Sequence, residues 1–408
     1  MNVLFLTLLD FSTIGEQGIY TDLMREFVKE GQKVYIVSPS EKRKKNTTRV
    51  YVQENVKILK LKIGNIQKTN LIEKGISTLL LETKFKSGIQ RFFGDVKFDL
   101  VLYSTPPITL QKAVKYVKQR DNAKAYLLLK DIFPQNAVDL GIIKKTGLGK
   151  FIYKYFRNKE KKLYRISDYI GCMSDANIKF LIKENPWIST RTVEVCPNSI
   201  EPLMTAISEA DKQEVRRKYN IPLDKIVFVY GGNLGKPQGI DFLIKCIKAN
   251  EKNEQSFFLI VGTGTELKKL QIFFENEAPI KSKLLYYLPK DQYEILVNSC
   301  DVGLLFLDRR FTIPNFPSRL LSYIQASMPV LAATDVNTDV GVIIQEEGFG
   351  YWCESKHVEK FNELVNKLCD TELRAELGVN ARKYLEKYCT ARRSYEIIMK
   401  HFNSEEKR

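Results

Sequence analysis

The sequence holds two histidines, His357 and His401, and neither falls in a glycine loop. That scarcity excludes a histidine-rich zinc site and argues against chemistry built on an imidazole base. The seven cysteines are odd in number and scattered, with no CxxC pair. They read as reduced, buried thiols of a cytoplasmic protein, not as a disulfide framework. No apolar run approaches the roughly 18 residues that span a bilayer. The apolar start, Val3 to Leu9, follows no basic stretch and stops at Asp10, so it reads as a first strand and not a signal peptide. Acid is scarce in the first half. Residues 1–200 carry 35 Lys+Arg against 19 Asp+Glu, whereas residues 201–408 balance at 29 and 29. The formal charge of +16 thus belongs to the first half, which speaks of partners and not of fold.

What is present is globular. Apolar residues make up 44% and charged residues 27% of a chain too long for one ordinary core, so two domains are expected. Strand-like runs at Val3–Leu9, Lys33–Val37, Asp99–Tyr103, Ala125–Leu129 and Tyr169–Met173 alternate with helical patterns. One helix is expected from about Tyr20 to Glu30, with Leu23, Met24, Phe27 and Val28 on one face and Gly31 closing it. The second half repeats the rhythm. Strands are expected at 226–230, 257–261, 284–288, 302–306 and Val330–Ala333, and helices near 239–249, 265–276 and 291–299. Another helix starts near Pro317, and a helical tail runs from about Glu372 to Phe402. Such alternation predicts parallel, doubly wound sheets. Asn198–Pro202 reads as the linker, and the stretch to about 222 is polar.

Residues 230–243, YGGNLGKPQGIDFL, are the most informative stretch. The β-branched run Ile226–Tyr230 is stopped by Gly231 and Gly232, and Gly239 precedes a helical pattern. In a strand, glycine turn and helix, free backbone N–H groups meet an anionic ligand. Lys236 adds a point charge for a phosphate. A plain turn with a solvated lysine has the same local pattern, and the loop is neither a Walker nor a GxGxxG motif.

Several separate segments, in order along nearly the whole chain, resemble the family 4 glycosyltransferases of GT-B fold. They are GEQGIYTDLMREFVKEGQKVYIVSP, SDYIGCMSDANIKFL with VEVCPNSIEP, YGGNLGKPQGIDFL, FLIVGTGTELKKL, YYLPKDQYEILVNSCDVGLLFL and NFPSRLLSYIQASMPVLAATD. The subgroup they resemble makes bacterial capsule, O-antigen and exopolysaccharide. The resemblance implies two doubly wound Rossmann-like domains facing a central cleft, with a C-terminal helix crossing back to the first. The acceptor-side domain would be 1–200 with 388–408, and the nucleotide-sugar domain 201–387. The implied reaction is retaining transfer from a nucleotide diphosphate sugar, UDP-linked, with an N-acetylated amino sugar among the options. The implied acceptor is a saccharide on polyprenyl diphosphate. A same-face internal return needs stabilisation of the leaving diphosphate more than a protein nucleophile. No metal or other cofactor is expected, because the donor region lacks a DxD-type carboxylate pair.

On this resemblance the catalytic candidates are Lys236, Arg319 and Asp131. Donor contacts are expected from Gly15, Glu16, Gln17, Gly18, Gly232, Asn233, Gln238, Gly262, Leu288, Asn315, Phe316, Pro317, Ser318 and Ser322. The chain also departs from the family. The family's Arg and Lys of the diphosphate loop fall on Asn233 and Gln238, with Lys236 between them. Its Glu-x7-Glu pair falls on Pro314 and Ser322, so a ribose carboxylate is replaced by one hydroxyl. Ser318 sits at an expected helix N-terminus, a phosphate seat. Asp131, in KDIFPQN, ends a strand and would orient the acceptor hydroxyl or take its proton. The plain alternatives are a solvated Lys236, a surface Arg319, a turn-capping Asp131 and a packing Ser322.

The basic half carries Lys42–Lys45, then Lys74, Lys84, Lys86 and Arg91 among Leu79–Leu81, Phe85, Phe92 and Phe93. Residues 144–165 mix further Lys and Arg with Leu148, Phe151, Tyr153, Tyr155, Phe156 and Tyr164. That mixture suits an anionic membrane surface, so the chain is expected to be peripheral on the inner face of the plasma membrane. Solvated helices with lysine stems over the core are the plain alternative. Nucleic acid is a poor fit, since no binding motif accompanies the patches. A nucleotide-sugar 2-epimerase of GT-B fold would need acid/base carboxylates and a histidine around the sugar.

Overall fold

The computed structural model describes residues 1–66, 69, 71–204 and 207–403. The side chains of residues 71, 72, 74–76 and 403, and hence Lys74 of the basic patch, lie outside what is described. The chain divides into two compact units, Met1–Glu201 with Ala391–Arg408, and Pro202–Thr390.

Unit 1 is built on eight strands: β1 (Asn2–Leu6), β2 (Lys33–Glu41), β3 (Arg49–Gln53), β4 (Val56–Ile63), β5 (Leu100–Ser104), β6 (Lys124–Leu129), β7 (Tyr169–Cys172) and β8 (Val193–Val195). Their order is β3-β4-β2-β1-β5-β6-β7-β8. All pairs are parallel except the β3–β4 hairpin. The central strands are covered on both faces, which is why they read as unbroken apolar runs. One face packs Leu81, Phe85 and Ile89 of helix Leu71–Phe92, Val114 and Val117 of helix Gln111–Asp121, and Leu163 of helix Gly149–Ile166. The other face packs Leu23, Met24 and Phe27 of helix Ile19–Lys29 with Tyr395, Ile398 and Met399 of helix Ala391–Asn403.

That last helix is tied on by specific contacts. The Tyr395 ring lies 5.0 Å from Phe27, edge-on, and the Ser394 and Ser199 hydroxyls are 2.8 Å apart. His401 stacks on Tyr169 at 3.7 Å and meets Glu194 Oε1 at 2.8 Å. One of the two histidines is thereby part of a structural clasp. The expected single tail is two helices, Thr371–Tyr388 in unit 2 and Ala391–Asn403 in unit 1.

Unit 2 has six strands: β9 (Ile226–Asn233), β10 (Ser256–Thr263), β11 (Ser282–Leu285), β12 (Val302–Phe306), β13 (Val330–Thr334) and β14 (Gly350–Glu354). They are all parallel, in the order β11-β10-β9-β12-β13-β14. The chain runs outward from β9 to β11, then restarts on the other side of β9. Right-handed crossovers therefore place helices Ile240–Asn250 and Leu267–Glu277 on one face. Helices Lys290–Asn298, Leu320–Gln325 and Val340–Glu346 fall on the other. The reversal between β9 and β12 is a topological switch point, whose carboxyl-end crevice is where open α/β sheets take ligands. The strand expected at 284–288 is displaced to Ser282–Leu285. It is an edge strand, its pairing ends with Val261 opposite Leu285, and Tyr286 and Tyr287 beyond it are exposed.

Candidate active site

Glycine lets the backbone through at the carboxyl end of β9. A Cβ on Gly231 would stand 2.0 Å from the Tyr293 hydroxyl oxygen, and one on Gly262 1.9 Å from the Gly232 carbonyl. Gly232 and Gly262 are register partners, and Gly232 holds a φ of +118°. The ends of β9 and β10 thus present adjoining bare backbone at the switch point.

Arg319 stands against this backbone. Its Nη2 lies 3.5 Å from the place a Cβ on Gly232 would take. Its guanidinium carbon is 4.2 Å from the centre of the Tyr230 ring, and Nη1 is buried with no hydrogen-bond partner. Asn315 Nδ2 is a second buried donor without a partner. Buried donors left unpaired cost free energy, so Arg319 Nη1, beside the glycine backbone, marks a place that an acceptor-rich anion would complete. The helix expected from Pro317 begins only at Leu320. The N–H groups of Leu320, Leu321 and Ser322 bond the carbonyls of Pro317, Ser318 and Arg319. The seat expected at exposed Ser318 therefore rests on a tight turn, not on a full helix terminus. Phe316 and Pro317 are half-buried in the same segment, and Leu288 is half-buried after β11.

Ser322 donates to Glu294 Oε1 at 3.1 Å. Glu294 belongs to helix Lys290–Asn298 and is half-buried. Burial pushes its carboxyl above the usual range, against the opposing effects of the Ser322 bond and Lys290. A carboxylate thus stands beside the position where the family has its second Glu, supplied from another helix. Sequence reading missed it, because nothing in YEILVN tells an inward glutamate from a solvated one.

Asn233 and Gln238 meet. The Asn233 amide donates to Gln238 Oε1 at 3.1 Å, and the Gly235 N–H donates to the same oxygen at 3.1 Å. Where the family carries two cations, this chain closes the turn with an amide pair. Lys236 is exposed and lines a cavity of about 530 Å³ with Lys245, Lys269, Asp308, Arg309 and Arg310. The starts of helices Ile240–Asn250 and Leu267–Glu277 form part of its wall, so it opens on the sheet face opposite the Arg319 helix. The two cationic candidates therefore stand on two sides of the β9 turn.

In unit 1, Asp131 is half-buried just beyond β6. Burial raises its carboxyl to about 6, against hydrogen bonds from the Ile132 N–H and from Asn136 Nδ2 at 2.8 Å. The loop of Gly15, Glu16, Gln17 and Gly18 is braced from below. Arg25 donates to the carbonyls of Ile14 and Glu16, at 2.5 and 3.1 Å, and pairs with Asp22 and Glu201. Asp22 accepts from the Gly18 N–H at 2.7 Å. Neither Gly15 nor Gly18 is in the left-handed region, and Gly18, at φ 170°, is extended. The Arg25 brace was not legible in sequence, since its partner Glu201 lies far along the chain.

Comparison with known proteins agrees with this geometry. The family described as glycosyl transferases group 1 matches residues 211–384. WbjE of Pseudomonas aeruginosa, a glycosyltransferase by name, is 25% identical over 78% of this chain and 77% of its own. WcaI of Escherichia coli K12, named for colanic acid biosynthesis, is 20% identical over 71% of this chain and 70% of its own. HepE of Anabaena, solved with UDP and glucose, superposes with a TM-score of 0.69 at 15% identity, covering 99% of this chain and 100% of that one. Residues 211–384 match the group 1 glycosyl transferase family, and the chain is a glycosyltransferase of GT-B fold, with a sequence relative named for colanic acid biosynthesis.

Proposed function

We propose that the protein is a retaining glycosyltransferase that moves a sugar, an N-acetylated amino sugar among the options, from a UDP-linked donor to a saccharide on polyprenyl diphosphate. The observation that carries this reading is Arg319, with a buried guanidinium nitrogen that has no partner, facing glycine backbone at the switch point. Arg319 binds the diphosphate and stabilises its growing charge as the glycosidic bond breaks. Lys236, on the other side of the β9 turn, adds a second positive charge to the field at the turn. Glu294 and Ser322 take the ribose hydroxyls, because a carboxylate accepts from both members of a diol where a serine alone does not. Backbone at Leu288 meets the base, and Asn315 and Phe316 meet the sugar.

On the acceptor side, Asp131 orients the attacking hydroxyl. Transfer proceeds without a divalent metal, because protein cations neutralise the leaving group. Unit 1 docks on the anionic inner face of the plasma membrane. Leu148, Phe151, Ile152 and Tyr155 are 85, 71, 51 and 40% exposed, and exposed Lys144, Lys145, Lys150 and Lys154 surround them. Among the described residues no helix is long and apolar enough to cross a membrane. The test is a panel of nucleotide sugars assayed for nucleotide release, with the product's anomeric configuration read by NMR. UDP sugars should be selected, configuration retained, and EDTA without effect. An inverted product, or loss of turnover in EDTA with rescue by magnesium, would overturn the corresponding part.

A further inference from the structure

We propose that a groove between helix Leu71–Phe92 and strand β4 binds the phosphate head of one anionic lipid. Its walls are Thr48, Leu61 and Lys62 on one side, and residues of the helix from Leu80 to Phe92 on the other. The volume is about 320 Å³, at the small end of the range for ligand sites. Lys62, Lys84 and Arg91 stand around it, all exposed, and none makes an ion pair with a described residue. No carboxylate lies among the described walls. Thr48, Thr83 and Ser87 add hydroxyls.

The floor is apolar. Leu61 lies 5% exposed beneath it, and the helix meets the strand directly at the groove's base, where a Cβ on Gly88 would come 3.0 Å from Leu61 Cδ1. A phosphate ester fits the rim, and an alkyl chain fits the floor. The chain end would leave past Leu80 and its neighbour Leu79, which are 51 and 56% exposed. Three unopposed cations over an apolar floor select an amphiphilic anion over a free one, which would leave the floor wet.

The inference rests on the membrane reading above, and its test separates the two. The probe is dihexanoyl phosphatidylglycerol below its micelle concentration, titrated calorimetrically, with glycerol 1-phosphate as the soluble competitor. One lipid should bind, and glycerol 1-phosphate should bind far more weakly. The triple variant Lys62→Gln, Lys84→Gln, Arg91→Gln should lose roughly a hundredfold in affinity, three basic contacts going together. Ser87→Trp should abolish binding by filling the groove without altering charge. Unchanged melting temperature and UDP affinity would show both variants folded. Leu148→Ser with Phe151→Ser should weaken vesicle flotation and leave this lipid site intact. The groove assignment falls if Ser87→Trp binds lipid normally, if glycerol 1-phosphate binds as tightly as the lipid, or if an RNA oligomer displaces it. Flotation of wild type without any binding of soluble lipid would also sink the groove, while leaving membrane docking in place.

Discussion

Replacing Arg319 by Ala should lower kcat/KM by about two to three orders of magnitude. A buried charge on a leaving group contributes roughly 2–4 kcal/mol to the transition state. Lys236→Ala should cost less, about tenfold to a hundredfold, because its side chain is exposed and screened. Steady-state release of UDP checks both, and a larger loss from Lys236 would reverse their roles. Glu294→Gln should raise the inhibition constant of UDP while leaving that of 2′-deoxy-UDP nearly unchanged. A variant that still prefers ribose would remove Glu294 from the donor site. Asp131 gives a pH signature. Its carboxyl titrates near 6, so the base form fills as pH rises through that value, and kcat/KM should climb on a limb there. The same raised value means that folding favours the protonated form. The stability from Asp131 is full below the ordinary aspartate range and is lost as pH rises through about 6. Asp131→Asn should abolish the rate limb. An unchanged pH profile in that variant would place the titration elsewhere.

At the level of elements, helix Gly149–Ile166 and the turn leading into it carry the membrane prediction. Substituting Lys144, Lys145, Lys150 and Lys154 by Gln should weaken flotation with phosphatidylglycerol vesicles and leave soluble donor hydrolysis intact. Each basic contact contributes about 1 kcal/mol at low salt. Wild type that stays unbound even at low salt would end the membrane reading. Elements also show what the sequence made legible. The strands buried on both faces, such as β1, β5, β9 and β12, need no partner to be recognised, because their apolar runs are continuous. Strand β4 was hidden. Its sequence VKILKLKI places lysines at 57, 60 and 62, which look like a charged surface. Yet Lys60 is 4% exposed, paired with Asp10 and donating to the Phe11 carbonyl at 3.0 Å. A buried charge of this kind is set by a partner about fifty residues away, which local pattern does not contain. Glu294 and Arg25 escaped notice for the same reason. The glycines of the β9 turn and Arg319 were readable because their chemistry is local: a strand that must stop, and a cation at the start of a helix.

Across the whole molecule, the charge asymmetry and the division into units coincide, since the basic excess lies in residues 1–200 and unit 2 is close to neutral in composition. Unit 1 is nonetheless built from both ends of the chain. Removing Ala391–Asn403 should unfold it. Burying Tyr395, Ile398 and Met399 contributes roughly 5–9 kcal/mol, comparable to the stability of an entire domain. Thermal unfolding of a chain ending at Thr390 checks this, and a cooperative transition at the wild-type temperature would refute it. The clasp of His401 on Tyr169 then has a meaning in time as well as in space. During synthesis the first unit to emerge keeps part of one apolar face open until helix Ala391–Asn403 arrives. All of Pro202–Thr390 must be made in between, about 10–40 s at the usual 5–20 residues per second. The order of birth is thus the reverse of the order of completion. Unit 2 can finish first, and unit 1 becomes complete only once helix Ala391–Asn403 has been made.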